Sequence, residues 1–221
     1  MEWFLKNTDF VFGLTLTHLG VSLPPIVLGS LLAIALAKFM PKKLISSTNG
    51  FLSAIYAIPS LALFVALPAL IGTSYLGSTN VVVALTIYVV ASMFFSSRDA
   101  LAQVPDSANF IARAQGLSRW QHFIHVELPL ATPGLIAGLR VAAASTVSMA
   151  SIGAVVGVRN LGYLFLDGFQ RKIPDEILTG LVAIFVIALA LDLLLWLIGK
   201  ALTPWTKRAS ANETSKGLVN V

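Results

Sequence analysis

The chain has 221 residues, of which 57% are hydrophobic and only 11% are charged. A soluble domain carries about 25% charged residues because its surface faces water. Most of this surface must therefore face lipid or other apolar helices. The net charge of +5 does not indicate a nucleic-acid partner, since no segment interleaves basic and aromatic residues densely. The absence of cysteine excludes disulfides and thiolate metal sites.

Five segments are apolar and long enough to cross a bilayer, which takes roughly 20 residues as a helix. They cover residues 11–37, 51–71, 81–97, 130–157 and 177–199. The sequence therefore predicts an all-α membrane protein with about five transmembrane helices. One transmembrane domain is expected over residues 1–205, followed by a polar, disordered tail at 206–221.

Lysine and arginine are distributed unevenly between the two sides that these spans define. With the N-terminus outside and the C-terminus inside, ten of the 15 basic residues fall on the inner side and four on the outer side. The positive-inside rule favours this orientation. The inner group comprises Lys38, Lys42, Lys43, Arg98, Arg113, Arg119, Lys200, Lys207, Arg208 and Lys216.

The inner segment at about residues 99–127 is too polar to span and long enough to have its own structure. It reads as a short helix ended by Gly116 in the left-handed conformation, followed by a second helix. Ser118 and Gln121 form a capping-box pattern at the second helix, and the chain is expected to bend at Pro129. Such an elbow suits insertion into a groove on a partner, although an ordinary amphipathic surface loop fits the pattern equally well.

The elbow sequence resembles a loop of known transporters. Ala-Arg-Ala-Gln-Gly at 112–116 and Val-Glu-Leu-Pro at 126–129 are similar to the EAA loop of type I, binding-protein-dependent ABC importer permeases. In that family the loop docks into a cleft of the ATPase subunit. The residues that the resemblance assigns to ATPase coupling are Phe110, Ile111, Ala112, Arg113, Ala114, Gly116, Arg119, Leu128 and Pro129. Phe110 stands where the family has a glutamate, so the acidic contact is missing.

Three further segments, at 57–64, 152–157 and 160–162, look like the osmoprotectant branch of the family. The resemblance implies an inner-membrane permease for glycine betaine, carnitine, choline or proline betaine. Its partners would be an ABC ATPase, a second permease subunit (the same chain or a paralogue) and an extracytoplasmic substrate-binding protein. A related importer of methionine or another small solute is the alternative, and a self-sufficient secondary transporter is a more distant one.

No residues indicate an enzyme. The chain has no phosphate-cradling Gly-x-x-x-x-Gly-Lys-Ser/Thr loop, and no span carries paired carboxylates or a histidine cluster. We therefore expect no catalytic residue, no metal site and no cofactor bound by this chain, with ATP and Mg²⁺ held by the partner ATPase.

Prolines and small residues within the spans suggest a translocation path. Prolines kink helices, and small side chains permit either close helix packing or a passage for solute; both interpretations stand. The path candidates are Pro59, Ser60, Ser148 and Ser151.

Arg140 and Asp192 are ionisable residues set well inside the fourth and fifth predicted spans. At 1.5 Å per residue, both lie roughly 12–16 Å from the inner boundary. A charge at that depth is costly without a partner, so the matching depths predict an ion pair. Separate backbone or water partners are the alternative.

Overall fold

A computed structural model describes residues 2–73 and 77–205, so the predicted tail at 206–221 lies outside the described residues. Within these ranges the chain is helical and contains no strand. The α-helices are α1 (Glu2–Lys6), α2 (Thr8–Phe39), α3 (Lys42–Ala57), α4 (Ser60–Ile71), α5 (Ser78–Ala102), α6 (Asp106–Ala114), α7 (Arg119–His122), α8 (Leu128–Ala150), α9 (Tyr163–Gln170) and α10 (Pro174–Leu202). A π-helical turn at Phe123–Glu127 precedes α8, and a 3₁₀ turn at Ser151–Val156 follows it.

The prediction of an all-α protein with about five membrane spans is confirmed. Four helical stretches are long and apolar enough to cross a bilayer: α2, α5, the continuous stretch Arg119–Val156 that contains α8, and α10. The pair α3 and α4 supplies the fifth span if its two bent halves are counted as one.

The second span is not the single helix expected over residues 51–71. α3 and α4 meet at an angle of 107°. Pro59 has no N–H to donate and disfavours helical geometry at the residue before it. Ile58 is accordingly extended, with φ −66° and ψ 130°, and its carbonyl accepts a hydrogen bond from the Tyr88 hydroxyl. A side chain of α5 thus satisfies backbone that the break exposes.

The bend expected at Pro129 is also wrong, because the helix continues through this residue. The π-helical turn just before it lets Leu128 N–H reach the carbonyl of Phe123, five residues back. Such a turn adds one residue to the helix and can absorb a missing donor without breaking it. The part of the inner segment that begins at Arg119 is therefore continuous with the helix of the fourth span.

α5 lies at the centre of the bundle, in contact with α2, α3, α4 and α8. Its approach to α8 is close: a Cβ on Gly138 would lie 2.5 Å from Ser96 Cβ, and one on Gly134 would lie 2.8 Å from Ala100 Cβ. Gly134 and Gly138 form a Gly-x-x-x-Gly motif, which brings helix backbones together in membranes. The continuous helix that contains α8 is thereby packed tightly against the central helix.

Candidate functional site: the inner elbow

The elbow consists of α6, the turn at residues 115–118 and α7. Gly116 has φ 72°, the left-handed conformation that the sequence predicts. Its N–H donates to the Arg113 carbonyl at 3.0 Å, and Leu117 N–H donates to the Ala112 carbonyl at 3.2 Å. These two bonds are the Schellman motif, which satisfies the last carbonyls of a helix and reverses the chain.

The second arm begins with the capping box that the sequence indicates. Gln121 N–H donates to Ser118 Oγ at 3.3 Å, and Ser118 N–H donates to Gln121 Oε1 at 3.0 Å. The arms are also joined to each other, since His122 Nε2 lies 2.9 Å from Asn109 Oδ1. Local sequence therefore fixes both the turn and the angle between α6 and α7.

The tip of the elbow is apolar and exposed. Phe110 is 73% exposed, Ile111 55% and Trp120 59%, while Ala112 on the opposite side of α6 is buried. Of the other predicted coupling residues, Arg113, Ala114, Gly116 and Arg119 are exposed on the same elbow. Exposed aromatic and aliphatic groups rimmed by arginines are typical of a protein docking surface.

Leu128 and Pro129 are placed differently from the other predicted coupling residues. Both are only partly accessible, and Leu128 packs against a buried cluster at the inner ends of α5 and α8. The members of this cluster are Ala100, Val104, Ala131 and Leu135. Leu128 therefore supports the elbow from within the bundle and lies outside its exposed tip.

A contact between α2 and the elbow was missed by sequence reasoning. Lys38 at the inner end of α2 forms a salt bridge with Glu127 in the π-helical turn. Beside it, the Phe39 ring centroid lies 6.1 Å from that of Trp120 and 5.7 Å from that of Phe123. We call Lys38, Phe39, Trp120, Phe123 and Glu127 the inner latch. The sequence does show that the first span ends in a basic and an aromatic residue, Lys38 and Phe39. It does not show their partners, since Glu127 lies 89 residues from Lys38.

Arg140 and Asp192 are brought together by α8 and α10. Arg140 Nε donates to Asp192 Oδ1 and Nη2 donates to Oδ2, both at 2.7 Å. This bidentate geometry is the strongest arrangement for an arginine–carboxylate pair. The two side chains are 36% and 37% exposed in the isolated chain.

The four translocation-path candidates lie on neighbouring elements. Pro59 and Ser60 stand at the break between α3 and α4, whereas Ser148 and Ser151 stand where α8 becomes a 3₁₀ turn. α4 packs against that turn. Ser148 is exposed, and Ser151 Oγ donates to the Ser148 carbonyl at 2.6 Å. No hydrogen bond joins the two sets within the described ranges. Their role in transport stays a prediction.

The outer end of the bundle carries a polar cavity of about 230 Å³ beside α9. Arg159 lies over the Tyr163 ring, and Tyr163 and Arg171 both donate hydrogen bonds to the Asp167 carboxylate. Burial disfavours ionisation of Asp167, but hydrogen bonding, chiefly from Arg171, outweighs it and lowers the pKa of this carboxyl. The outer surface here is therefore charged at neutral pH.

Residues 2–73 and 77–205 contain no cluster of three or more His, Cys, Asp or Glu side chains that could hold a metal ion. His18 in the first span is fully buried, with Nε2 3.1 Å from the Val147 carbonyl. The elbow remains the feature with the geometry of a functional surface.

Comparison with known proteins shows which family this helical membrane protein belongs to. Residues 15–208 match the family described as the inner membrane component of binding-protein-dependent transport systems. The chain belongs to this family, and it is a multi-pass protein of the inner membrane.

Two relatives illustrate the similarity in sequence. The osmoprotectant import permease protein OsmW of Salmonella typhimurium is 28% identical over 209 residues, covering 92% of this chain and 97% of the relative. The carnitine transport permease protein OpuCB of Listeria monocytogenes is 25% identical over 206 residues, covering 92% and 93% respectively.

Among solved structures, an inward-facing conformation of the MetNI methionine ABC transporter contains a similar chain. It aligns with a TM-score of 0.76 and 22% identity, covering 87% of this chain and 96% of that one. At this identity the likeness concerns the fold alone.

Proposed function

We propose that this chain is the permease subunit of an ATP-driven importer for a small osmoprotectant such as glycine betaine, carnitine, choline or proline betaine. The names of the two relatives above support the substrate class. The family supports a separate binding protein and a separate energising subunit. The observation that carries the proposal is the exposed apolar elbow at residues 110–116, which leads into the continuous helix Arg119–Val156.

In this proposal the elbow inserts into a cleft of the ATPase. Phe110 and Ile111 supply an apolar anchor where the family has an acidic residue, and Arg113 and Arg119 flank it. Burying a phenylalanine or isoleucine is worth about 1.5–3 kcal/mol, so an apolar anchor can replace a surface charge pair, which contributes about 0–1 kcal/mol. ATP and Mg²⁺ are held by that partner.

Closure of two ATPase subunits on ATP then moves two copies of the elbow, one on each permease subunit. The inner latch carries the displacement to α2, and the cluster around Val104 and Leu128 carries it to α5 and α8. Because Arg119–Val156 is one continuous helix, tilting its inner end moves Ser148 and Ser151 at its outer end. The path would thus open alternately to the two sides.

Methionine or another small solute is the alternative substrate, because the methionine transporter shares this fold. Uptake of labelled solutes by cells that depend on this chain separates the two. We expect saturable uptake of one or more of glycine betaine, carnitine, choline and proline betaine, with no methionine uptake. Methionine uptake without osmolyte uptake would overturn the proposed substrate class.

The same assay tests the elbow. Phe110→Asp should abolish uptake while leaving the amount of permease in the membrane unchanged, because the side chain is exposed. Phe169→Asp is the matched control for the amount of permease in the membrane, since it adds the same charge at a site that is 78% exposed on α9 at the opposite end of the bundle. Wild-type uptake by Phe110→Asp would contradict an ATPase contact at Phe110.

A further inference from the structure

A groove in the inner half of the membrane region separates α8 from α10. It encloses about 340 Å³ and is lined by Ile136, Arg140, Trp196, Gly199 and Lys200, among others. Its floor is narrow, because a Cβ on Gly199 would lie 2.8 Å from the Ile136 side chain. The groove therefore combines an apolar base with two cationic side chains.

Arg140 and Lys200 each keep N–H groups that could donate further hydrogen bonds. Arg140 uses Nε and Nη2 on Asp192, and among the described residues Nη1 has no hydrogen-bond partner. Lys200 Nζ lies 4.7 Å from the Trp196 ring centroid and forms no salt bridge with a described carboxylate. Two cations facing one carboxylate leave the groove with a net charge of about +1.

The groove opens beside the surface of α10, which the rest of the chain leaves largely uncovered. Only 6% of the most apolar stretch of α10 is buried within the chain, against 39–50% for the other three long spans. Lysine and tryptophan at the end of such a helix are anchors of the membrane–water interface. Lys200 follows Asp192 by eight residues, about 12 Å along the helix, so the groove runs from the inner headgroup region toward the Arg140 pair.

We propose that this groove binds the phosphate of an anionic phospholipid from the inner leaflet. The phosphate would lie between Lys200 and Arg140 Nη1, beside Trp196, with an acyl chain along the exposed leucines of α10, such as Leu189 and Leu193. Basic pockets between membrane helices on the cytoplasmic side favour anionic headgroups over zwitterionic ones. The site does not depend on which solute the importer carries.

Native mass spectrometry of the detergent-purified full chain tests the site. The chain is titrated with phosphatidylglycerol, with phosphatidylcholine, and with phosphatidylglycerol in the presence of inorganic phosphate. We expect saturable binding of one phosphatidylglycerol in preference to phosphatidylcholine, without displacement by an equal concentration of inorganic phosphate. Displacement would identify a free-anion site and overturn the lipid assignment.

Lys200→Gln should weaken phosphatidylglycerol binding by about fivefold, because a lysine near the surface contributes about 1 kcal/mol toward anionic lipid. Lys43→Gln removes the same charge from the exposed inner end of α3 and should leave the affinity unchanged. Equal affinities for the two lipids, or equal losses in the two variants, would overturn the proposal.

Discussion

Gly116 adopts φ 72° at a point where an added Cβ would meet no atom within 4 Å. A side chain at this position would therefore meet no steric clash with other residues, and its cost would come only from the left-handed backbone conformation. Gly116→Val should cost about 1–2 kcal/mol in the turn and misalign α6 relative to α7, so uptake should fall while membrane insertion is retained. Gly116→Asn is the matched control, because asparagine tolerates the left-handed region. Wild-type uptake in Gly116→Val would refute the role of the turn.

Arg140 and Asp192 form a bidentate pair within the membrane region. Removing one partner leaves the other charge without compensation, which is costlier than removing both. We expect Arg140→Ala and Asp192→Ala each to lower the midpoint of thermal unfolding, and the double variant to be milder than the sum. Thermal unfolding of the purified chain measures the cycle. Simple additivity would show that the two charges act independently.

At the residue scale, the features that depend on neighbouring residues could be predicted from the sequence. The Gly116 turn and the Ser118–Gln121 capping box depend on neighbours within a few positions. The inner latch could not be predicted in this way, because Lys38 and Glu127 come into contact only when the helices of the bundle have packed. Arg140 and Asp192 are 52 residues apart, yet their contact could be predicted from the sequence. The two residues lie at the same depth in the membrane, and few partners are available to a charge there.

At the scale of elements, hydropathy indicated the spans, but it could not tell two prolines apart. Pro59 breaks its span at 107°, whereas the helix passes through Pro129. The two prolines differ in how the nearby backbone groups find hydrogen-bond partners. At Pro59 the helix breaks, and the Tyr88 hydroxyl donates to the Ile58 carbonyl. At Pro129 the π-helical turn accommodates the missing N–H donor, so the helix continues. Neither arrangement is encoded in the proline itself.

The Gly134–Gly138 motif makes the packing of α8 on α5 testable. Gly138→Val places atoms where Ser96 Cβ lies 2.5 Å from the first added carbon. Overpacking of this kind costs about 1–3 kcal/mol, so thermal stability should drop and less protein should remain monodisperse in detergent. Gly20→Val is the control, since a Cβ there meets nothing within 4 Å. Equal stability of the two variants would contradict tight packing at this interface.

At the scale of the molecule, orientation follows from the distribution of basic residues, and the absence of native cysteine makes it measurable. Ser78 begins α5 and Ser47 lies in α3, both exposed. In whole cells, Ser78→Cys should react with an impermeant thiol reagent and Ser47→Cys should not. The reversed pattern would place the elbow outside, where no ATPase can reach it.

In the mechanism that we propose, a separate ATPase subunit drives this permease through its inner elbow. The most direct measurement is uptake of labelled osmolyte by proteoliposomes that contain the assembled importer, with binding protein outside. We predict that osmolyte accumulates only when ATP and Mg²⁺ are present in the lumen, which the ATPase subunits face. An ion gradient alone should give no accumulation. Accumulation driven by an ion gradient without ATP would contradict this mechanism and identify a self-sufficient secondary transporter.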